Sequence, residues 1–438
     1  PGLGLVKNSI GVYRTPLIEV ATRCAITNTS AIGAYRGAGR PEGNYIMERL
    51  VDAAATEMQI DPIELRRRNH IRPEEFPYDA PNEMRYDSGE FSALLDQLVE
   101  VSDWHGFAKR KAESRARGKL RGRGLAQYLE VTAASMKELG GVRFEEDGSV
   151  TLITGTLDYG QGHASPFAQV LASRLGLPFE RIRLLQGDSD ELAFGGGTGG
   201  SRSMMMSGSA IVGAADKVIE AGKQIASVAL EAAVADIEFV QGRFRVVGTD
   251  SSVGLLDLAA RLRGGMKLPD GVPKSLDVTH LDGAVPSAFP NGGHVCEVEI
   301  EPETGVVEVV RYSSVNDFGV VVNPLTVEGQ VHGGVVQGLG QILLEQTVYD
   351  EAGQPIAGSY MDYAMPRAAD APSIGFVSHP VPATTNALGV KGCGEAGCAG
   401  AMPAVMNAVV DALAELGIKD ITMPATRERV WKTIRAAR

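Results

Sequence analysis

The sequence predicts an α+β fold built from several layers. Three observations support this prediction. Segments with helical and with strand periodicity alternate along all 438 residues, glycine-rich stretches separate many of them, and no fixed-period repeat is visible. Hydrophobic residues make up 44% and charged residues 22% of the chain, which is typical of a globular protein with a sizeable core.

The first part of the chain is predicted to be mainly helical. Residues 44–60 carry apolar side chains at helical spacing, and the stripe expected to face the core is Ile46, Leu50, Val51, Ala54 and Met58. A second helix is expected to start at Pro62, with Asp61 as its N-cap. Residues 71–90 are rich in Pro, Asp and Asn and indicate an irregular connection. The next helix is predicted from Phe91 to Arg115.

The middle of the chain predicts a strand–loop–helix–strand unit. The strands are Val150–Thr154 and Ile182–Leu185, and a glycine loop follows the first of them. The helical face between them consists of Ala164, Phe167, Ala168, Leu171 and Leu175. A second glycine-rich stretch, AFGGGTGGSRSMMMSGSA, leads into a long amphipathic helix. Its apolar stripe is Ile211, Ala215, Val218, Ile225 and Ala229. Gly222 lies on that face, where it permits close packing of a neighbour.

The last part of the chain predicts a hairpin and two further helices. The stretch GHVCEVEIEPETGVVEVVRYSSVND alternates around a Glu-Thr-Gly turn, as a β-hairpin does. A third glycine-rich stretch, GGVVQGLGQILLEQ, is read as a loop that opens a helix. A fourth, GVKGCGEAGCAGAM, precedes a helix whose apolar stripe is Val405, Val409, Leu413 and Leu416.

Glycine-rich loops that feed helix N-termini suit an anionic ligand. Glycine lets the backbone approach a ligand closely, and a helix N-terminus offers unpaired N–H groups. One such loop is weak support, but four together suggest a large polar cofactor. No loop has the Gly-Lys-Ser/Thr ending of a phosphate-binding P-loop, and none has the dinucleotide-binding pattern. This pattern therefore indicates an anionic cofactor without identifying it.

Charge and cysteine usage exclude several classes of protein. The net charge of −12 argues against a nucleic-acid-binding surface. No run of about 18 apolar residues is present, so no membrane span is expected. The four cysteines do not have iron–sulfur or zinc spacing, and they are too few for a disulfide scaffold: Cys24, Cys296, Cys393 and Cys398. A reducing, cytoplasmic location is expected.

Six motifs together resemble the molybdenum-cofactor subunit of the xanthine dehydrogenase/aldehyde oxidase family. They are GAYRGAGRPEGNYIMERLVDAAATEMQIDPIELRRRN, GTLDYGQGHASPFAQVLASRLG, GGTGGSRSMMMSGSA, NPLTVEGQVHGGVVQGLGQILLE, GSYMDYAMPRAAD and GVKGCGEAGCAGAMPAVMNAVVDAL. The resemblance extends over nearly the whole chain and corresponds to the C-terminal part of such a subunit. It implies a two-domain molybdopterin-binding architecture, with residues 1–88 completing a first domain and residues 89–438 forming a second.

The resemblance also implies a cofactor, a reaction and partners. The cofactor is molybdenum with molybdopterin, often in its cytosine dinucleotide form in bacterial members. The reaction is hydroxylation of an electron-poor carbon of a small aldehyde or aromatic N-heterocycle, with oxygen taken from water. Electrons then pass to an iron–sulfur and a flavin (FAD) subunit or domain, because this chain has no iron–sulfur cysteine set. Another polypeptide is expected to supply the family's earlier segment.

The matching positions give roles to individual residues. Glu395 matches the general base, and Arg36 matches an arginine that orients the substrate and stabilises charge. The positions that match cofactor contacts are Gly160, Gln161, Gly162, Gly199, Gly200, Ser201, Arg202, Ser203 and Gln337. Tyr35, Gly37 and Cys393 are expected beside the substrate. The glycines around Glu395 are expected to let the backbone clear the metal and the substrate.

Simpler interpretations remain open for these residues. On local sequence alone, Glu395 is more often a carboxylate that favours the N-terminus of the following helix. His163 is expected to be a structural donor, and no residue is predicted to ligate a metal directly. A carbon monoxide dehydrogenase is a second enzyme hypothesis, although its copper-bearing members have a cysteine at the position of Gly37. A third hypothesis is a non-catalytic scaffold that binds anions.

Overall fold

The computed structural model describes residues 2–133 and 137–438, which form an α+β fold, as predicted. In these residues the helices are α1 (Gly2–Asn8), α2 (Arg40–Met58), α3 (Pro62–Asn69), α4 (Phe91–Val101), α5 (Phe107–Ala116), α6 (Ala164–Leu175), α7 (Ser203–Ala229), α8 (Leu255–Arg263), α9 (Pro324–Leu343), α10 (Ala396–Leu413) and α11 (Arg427–Ala437). The strands are β1 (Tyr78–Asp79), β2 (Arg85–Tyr86), β3 (Leu120–Leu129), β4 (Glu138–Phe144), β5 (Val150–Thr154), β6 (Ile182–Leu185), β7 (Ile237–Val240), β8 (Arg243–Val246), β9 (Ser252–Gly254), β10 (Val278–Asp282), β11 (Asn291–Ile300), β12 (Val307–Asp317) and β13 (Ile374–Ser378).

Two four-stranded sheets organise the two largest hydrophobic clusters. The first sheet has the strand order β13-β12-β11-β3, and α9 and α10 pack together against it. The second has the order β10-β4-β5-β6 and is covered by α6 and α7, next to a small sheet of β7, β8 and β9. The site described below lies where loops from both groups of elements meet.

Several predicted elements are confirmed. The hairpin forms from β11 and β12, which pair antiparallel. The strand–loop–helix–strand unit forms from β5, α6 and β6, and its two strands are parallel. Asp61 caps α3 by accepting hydrogen bonds from the N–H groups of Ile63 and Glu64 at 2.8 and 3.1 Å. Gly222 packs against a neighbour, since a Cβ there would lie 2.1 Å from the ring of Phe244.

The helix α10 is buried on all sides instead of along the single predicted stripe. Residues 396–409 are all buried. Two glycines of β3 permit this close packing, because a Cβ on Gly122 or Gly124 would lie 2.1 Å from a carbonyl oxygen of α10. In the described part of the chain, Ala396–Leu416 is the one helix long and apolar enough to cross a membrane, but 89% of its apolar window is buried inside this protein. It is therefore the central core helix.

Two other predicted boundaries are wrong. The third glycine stretch is not a loop, because Gly333 to Gly340 lie inside α9. These glycines let α9 and α10 approach each other, as a Cβ on Gly334 would lie 2.9 Å from the backbone of α10. The helix predicted from Phe91 to Arg115 is interrupted at residues 102–106, where Asp103 adopts a left-handed conformation with φ of 49°. The division of the chain at residue 88 stays a prediction.

The predicted apolar stripe of α2 is also wrong. Ile46, Leu50 and Met58 are 50 to 61% exposed, whereas Asn44 and Glu48 are buried. The reason lies in β3, which is an edge strand with unpaired outward N–H and C=O groups. Polar side chains of α2 are buried against that edge and satisfy some of these groups, which leaves Ile46, Leu50 and Met58 on the outside.

Side chains from α2, α3 and α10 occupy the free edge of β3. The amide of Asn44 both accepts from and donates to the backbone of Leu129, at 3.2 and 3.0 Å. Glu48 accepts from the N–H of Gln127 at 3.0 Å and from Arg66 at 2.9 Å. Arg66 and Asn407 also donate to the carbonyl of Leu125, and Asp411 accepts from the N–H of Arg123. This continuous set of hydrogen bonds, which we call the β3 edge network, replaces a neighbouring strand.

Candidate functional site

Four segments of the chain and Arg36 enclose one cavity of about 480 Å³. The segments are residues 159–163 before α6, 198–204 at the start of α7, 318–330 at the start of α9, and 390–395 before α10. All four therefore lead into helices. The sequence predicted that four glycine-rich loops bind one cofactor. Three of them, the loops before α6, α7 and α10, meet at this cavity, and the remaining stretch lies inside α9.

Glu395 lies at the end of the fourth segment, immediately before α10. Its Oε2 accepts a hydrogen bond from Nη1 of Arg40 at 2.7 Å and from the hydroxyl of Ser201 at 3.3 Å. Its own N–H donates to that hydroxyl at 3.0 Å. The side chain makes no capping hydrogen bond to α10. The carboxylate therefore lies at the N-terminus of α10 without capping it through a hydrogen bond, and it is held towards the cavity by α2 and the α7 loop.

Arg36 bridges two walls of the cavity. Its Nε donates to the carbonyl of Gly394 at 2.6 Å, and its Nη2 donates to the carbonyl and side-chain oxygens of Gln330 at 3.0 and 2.9 Å. These bonds fix the guanidinium one residue from Glu395 and leave Nη1 available. The adjacent Gly37 has a φ of 104°, and a Cβ there would lie 2.3 Å from the ring of Pro41. No side chain fits at position 37 without rearrangement.

The loop before α6 is organised by a residue that sequence analysis did not identify. The carboxylate of Asp158 accepts hydrogen bonds from the N–H groups of Gly160, Gly162 and His163 at 2.7 to 3.2 Å. Burial acts to raise the pKa of Asp158, but these three bonds outweigh it, and the pKa is lowered. The amide oxygen of Gln161 accepts from the N–H of Tyr159 at 2.6 Å. Most donors of this loop are thus used internally, which fixes its shape.

His163 lies at the end of the same loop and is neutral. Burial lowers its pKa, and its ring stacks on Phe167. Its two ring nitrogens lie 3.0 and 3.4 Å from the side-chain amides of Gln161 and Gln186. In residues 2–133 and 137–438, no group of three or more His, Cys, Asp and Glu side chains is placed to hold a metal ion.

The predicted site residues divide into two groups. Those that line the cavity are Arg36, Gly160, Gln161, Gly199, Gly200, Ser201, Ser203, Cys393 and Glu395. Those placed beside it or further away are Tyr35, Gly37, Gly162, Arg202 and Gln337. Arg202 lines a separate crevice with Glu138, and Gln337 lies two turns along α9 from the cavity, where its carbonyl accepts from Tyr35 at 3.3 Å. The glutamine of α9 that reaches the cavity is Gln330.

Two of the glycines around Glu395 make close contacts with other protein segments, and the expected clearance of a metal and a substrate stays a prediction. A Cβ on Gly392 would lie 1.6 Å from the carbonyl oxygen of Ser201, and one on Gly397 would lie 2.4 Å from a carbonyl of α9. These two residues are small because protein segments touch them. They bring the α7 loop and α9 close to Glu395, which makes the site compact.

A second carboxyl group lies behind Glu395. Glu130 directly follows β3 and is 0% exposed, and neither of its side-chain oxygens accepts a hydrogen bond from a donor in the described residues. Burial and the neighbouring Glu395 together raise its pKa to about 8, against the opposing charge of Arg40. The sequence patterns did not identify Glu130, although it is a single charged residue that directly follows the mostly apolar stretch GLAQYL. They also did not identify Arg40, four residues after Arg36.

The lining fits the anionic cofactor that the sequence resemblance implies. Of the described residues around the cavity, Glu395 is the one carboxylate and Arg36 is a cation, whereas the ammonium group of Lys391 is buried and paired with Asp317 at 2.5 Å. No side chain in the described chain caps the N-termini of α6, α7 or α10. Uncapped N-termini leave N–H groups unpaired, and such groups bind phosphate and other anions. The position of Gly199 is open, so that a ligand could approach the backbone there.

Comparison with known proteins gives a consistent result. The molybdopterin cofactor-binding domain family matches residues 3–70 and 97–372. The chain is 38% identical over 434 residues to the nicotine 6-hydroxylase large subunit of Paenarthrobacter nicotinovorans, covering 96% of this chain and 53% of that subunit. It is 33% identical to the carbon monoxide dehydrogenase large chain of Hydrogenophaga pseudoflava, covering 99% and 56%.

A solved structure extends the similarity to the fold. Quinoline 2-oxidoreductase from Pseudomonas putida 86 superposes with a TM-score of 0.88 at 33% identity, covering 99% of this chain and 57% of that one. The fold prediction is confirmed by this match. The chain spans about half the length of the curated relatives it matches.

Proposed function

The chain belongs to the molybdopterin cofactor-binding family of the xanthine dehydrogenase/aldehyde oxidase type, and on that basis we propose that it is the catalytic molybdenum part of a hydroxylase. Its substrate is a small aldehyde or aromatic N-heterocycle. The reaction converts a C–H bond and water into C–OH, two electrons and two protons. The electrons leave for iron–sulfur and flavin partners.

One observation supports this proposal above the others. Glu395 and Arg36 meet at one cavity, next to two loops that resemble cofactor-binding loops, and each is held by hydrogen bonds that do not use all of its capacity. A carboxylate in that position can take a proton, and a guanidinium beside it can hold the polar edge of a substrate. A non-catalytic scaffold has no need for this pair.

The cofactor would be held by the N-termini of α6, α7 and α10 and by the open backbone at Gly199, with Gln161 and Ser203 lining the same cavity. When bound, the cofactor supplies a redox-active metal that accepts the two electrons. The protein supplies the proton chemistry and the orientation. Glu395 takes up a proton at its carboxylate when water is activated, and Arg36 presents Nη1 to the substrate. Asp158 keeps the α6 loop in one conformation during this process.

The substrate class is narrowed by the walls of the cavity. Phe167, Phe318 and a run of valines at 320–322 line it, and apolar walls favour a planar ring. The large subunit that shares 38% identity is named for nicotine hydroxylation, and the superposing structure for quinoline oxidation. We therefore favour an aromatic N-heterocycle over an aldehyde.

Carbon monoxide oxidation is the second candidate, because a carbon monoxide dehydrogenase chain is also similar. Copper needs a soft thiolate ligand, and position 37 carries no side chain and has no room for one. Cys393 lines the cavity, but burial raises the pKa of its thiol to about 12 and disfavours the thiolate. We propose a site with molybdenum and no stoichiometric copper.

Three finer features complete the proposal. The cofactor has the cytosine dinucleotide form, since bacterial members of the resembled family often use it. The enzyme is cytoplasmic, in keeping with four free cysteines. The enzyme is a complex of several polypeptides, because the similar proteins are named as a large subunit and a large chain.

The test is to purify the chain with its associated polypeptides and measure metals, pterin nucleotide and turnover. We expect molybdenum without copper, a cytosine nucleotide, and oxidation of N-heterocycles with a dye acceptor. Aldehydes and carbon monoxide serve as matched substrates in the same assay. Copper at parity with molybdenum together with carbon monoxide oxidation would replace the proposal by the second candidate. A protein that binds no molybdenum would refute both.

A further inference from the structure

The buried carboxyl of Glu130 has no assigned role, and its surroundings suggest one. Glu395 and two side chains that hydrogen-bond to it, Arg40 and Ser201, also affect the pKa of Glu130. The two carboxyl groups therefore belong to one cluster behind the cavity. The inference below rests on the proposed function, because it concerns the state of the proposed base.

The cluster has more carboxyl groups than cations. Arg40 is its one guanidinium in the described chain, and Nη1 of Arg40 bonds Glu395 at 2.7 Å. The other hydrogen bonds of Arg40 go to the neutral carbonyls of Gly37 and Val131, at 2.9 and 2.6 Å. One positive charge thus faces two carboxyl groups. If both were ionised, a net negative charge would be buried, which is strongly unfavourable.

Hydrogen bonding points in the same direction. An ionised Glu130 would be a buried acceptor whose neighbouring donor, the Ser201 hydroxyl, already donates to Glu395, and neither of its oxygens has a hydrogen-bond partner in the described residues. A protonated Glu130 has an O–H group and can donate to the carboxylate of Glu395. Two carboxyl groups that share a site commonly hold one proton between them.

We propose that Glu130 is a positioning residue that keeps a proton and donates a hydrogen bond to the Glu395 carboxylate. The pair then holds a single proton while the site awaits its substrate. Glu395 stays ionised and able to accept a proton, and its carboxylate is fixed from behind by Glu130 and from the side by Arg40. No electron or heavy atom is transferred in this arrangement.

The pH dependence of the pair follows from its neighbours. The titratable and charged groups that face Glu130 are Arg40 from α2, Tyr128 from β3, Glu395 and Cys393 from the segment before α10, and Cys398 from α10. Burial, together with Glu395, raises the pKa of Glu130 to about 8. Above that pH the donor is lost and the two carboxylates repel each other, so turnover is expected to fall on the alkaline side.

The first experiment compares two variants of the purified, molybdenum-loaded complex. Glu130→Gln keeps a donor at the position, whereas Glu130→Ala removes it. We expect the alanine variant to lose about 10- to 100-fold in kcat, the range for supporting partners of site residues. The glutamine variant should keep most turnover and lose the alkaline fall, because an amide does not titrate there. Equal loss in both variants, or an unchanged alkaline fall in Glu130→Gln, would overturn the proposal.

A second readout does not depend on activity. Infrared difference spectra of the complex, recorded across the pKa of about 8, should show the C=O band of a protonated carboxyl that disappears as pH rises. The band should be absent from Glu130→Gln. A wild-type spectrum without this band refutes the proposal even if Glu130→Ala does not fold. If the complex lacks molybdenum, the proposed function fails while the spectrum still decides the protonation state.

Glu138 provides the matched control. It is also a buried glutamate with a pKa raised chiefly by burial, but its carboxyl accepts hydrogen bonds from the N–H groups of Leu139 and Gly155, at 2.9 and 3.1 Å. Glu138→Gln should leave the alkaline fall in place. Loss of the fall in this variant would show that any buried carboxyl can cause it, which would also overturn the assignment to Glu130.

Discussion

The β3 edge network and the cluster behind the cavity both bury an arginine–glutamate pair, but they differ in how completely the pair is bonded. Glu48 and Arg66 are 0 to 1% exposed, and Glu48 also accepts from Tyr13 and the N–H of Gln127. Glu395 and Arg40 are 11 to 15% exposed, and they lie beside a second carboxyl that has no donor in the described residues.

This difference separates structural from functional polar groups. A buried network whose donors and acceptors are all paired holds segments together and has nothing left to offer a ligand. A buried network that contains unpaired polar groups lowers the stability of the fold. Such groups are kept where a ligand or a reaction uses them. We therefore expect substitutions in the first region to change stability, and substitutions in the second to change chemistry.

The largest effect is expected from Glu395→Gln. An amide cannot take the proton, so kcat should fall by about 10² to 10⁴, the usual loss when a general base is removed. Molybdenum and pterin content should stay at the wild-type level, because the side chain is not expected to ligate the metal. Metal analysis and dye-coupled turnover on the same sample measure both. Near-native turnover with full metal content would contradict the assignment of Glu395 as the base.

The corresponding substitution in the β3 edge network is Glu48→Gln. It leaves the buried guanidinium of Arg66 with Asp52, 3.9 Å away and 26% exposed, as its remaining counter-charge, and breaking a buried pair typically costs about 3 to 5 kcal/mol in the free energy of unfolding. Chemical denaturation measures this loss. Turnover per bound molybdenum should equal that of the wild type at a temperature where the variant is folded. A large fall in turnover at full occupancy would show that the two regions do not divide as we infer.

The pH dependence of stability should reveal the β3 edge network through His70. Its Nε2 lies 2.7 Å from the Oε1 of Gln127, and burial lowers its pKa to about 4. Between its unfolded value of about 6.5 and this folded value, the unfolded chain binds more protons. The free energy of unfolding should therefore fall as pH drops through that window, by up to about 3 kcal/mol.

His70→Gln should remove this share of the acid sensitivity, and His105→Gln, at an exposed position, should not. Denaturation midpoints across the window test the pair of variants. Part of the acid sensitivity that remains in His70→Gln is expected from His294 and His163, because burial lowers the pKa of both. Equal pH profiles for the wild type and His70→Gln would contradict the assignment to His70.

The smallest effect concerns the outer face of α2. Leu50→Ser replaces a side chain that is 61% exposed, so the free energy of unfolding should change by no more than about 0.5 kcal/mol. Ala55→Leu, on the buried face, should lower it by about 1 to 3 kcal/mol through overpacking. The predicted stripe would give the opposite order. Thermal or chemical denaturation of the two variants decides between them.

Much of the fold could be predicted from periodicity because the core obeys it. The β11–β12 hairpin and the β5–α6–β6 unit follow local patterns whose apolar face is buried in the usual way. The helix α2 departs from its pattern because its burial is decided by the free edge of a strand some 80 residues away in the chain. Sequence periodicity contains no information about which partner a helix will meet.

The site shows the same limit. Glu395 and Arg36 could be identified because they lie in motifs that resemble a family. Arg40 and Glu130 could not, since their importance comes from contact with Glu395, which is 355 residues from Arg40 in the chain. Asp158 could not be identified either. Its role is to accept hydrogen bonds from the backbone of the glycine loop before α6, and the glycine content that marks this loop gives no sign of such an acceptor.

The bonded edge of β3 also affects how the chain behaves among other copies of itself. An open strand edge is a template on which a second chain can add a strand, and this is a common route to aggregation. Here several of the outward N–H and C=O groups already have partners, among them Asn44, Glu48 and Arg66. The vulnerable moment is therefore during synthesis, before α2 and α3 have docked. A chaperone that delays association until then would protect this protein more than one that acts on the finished fold.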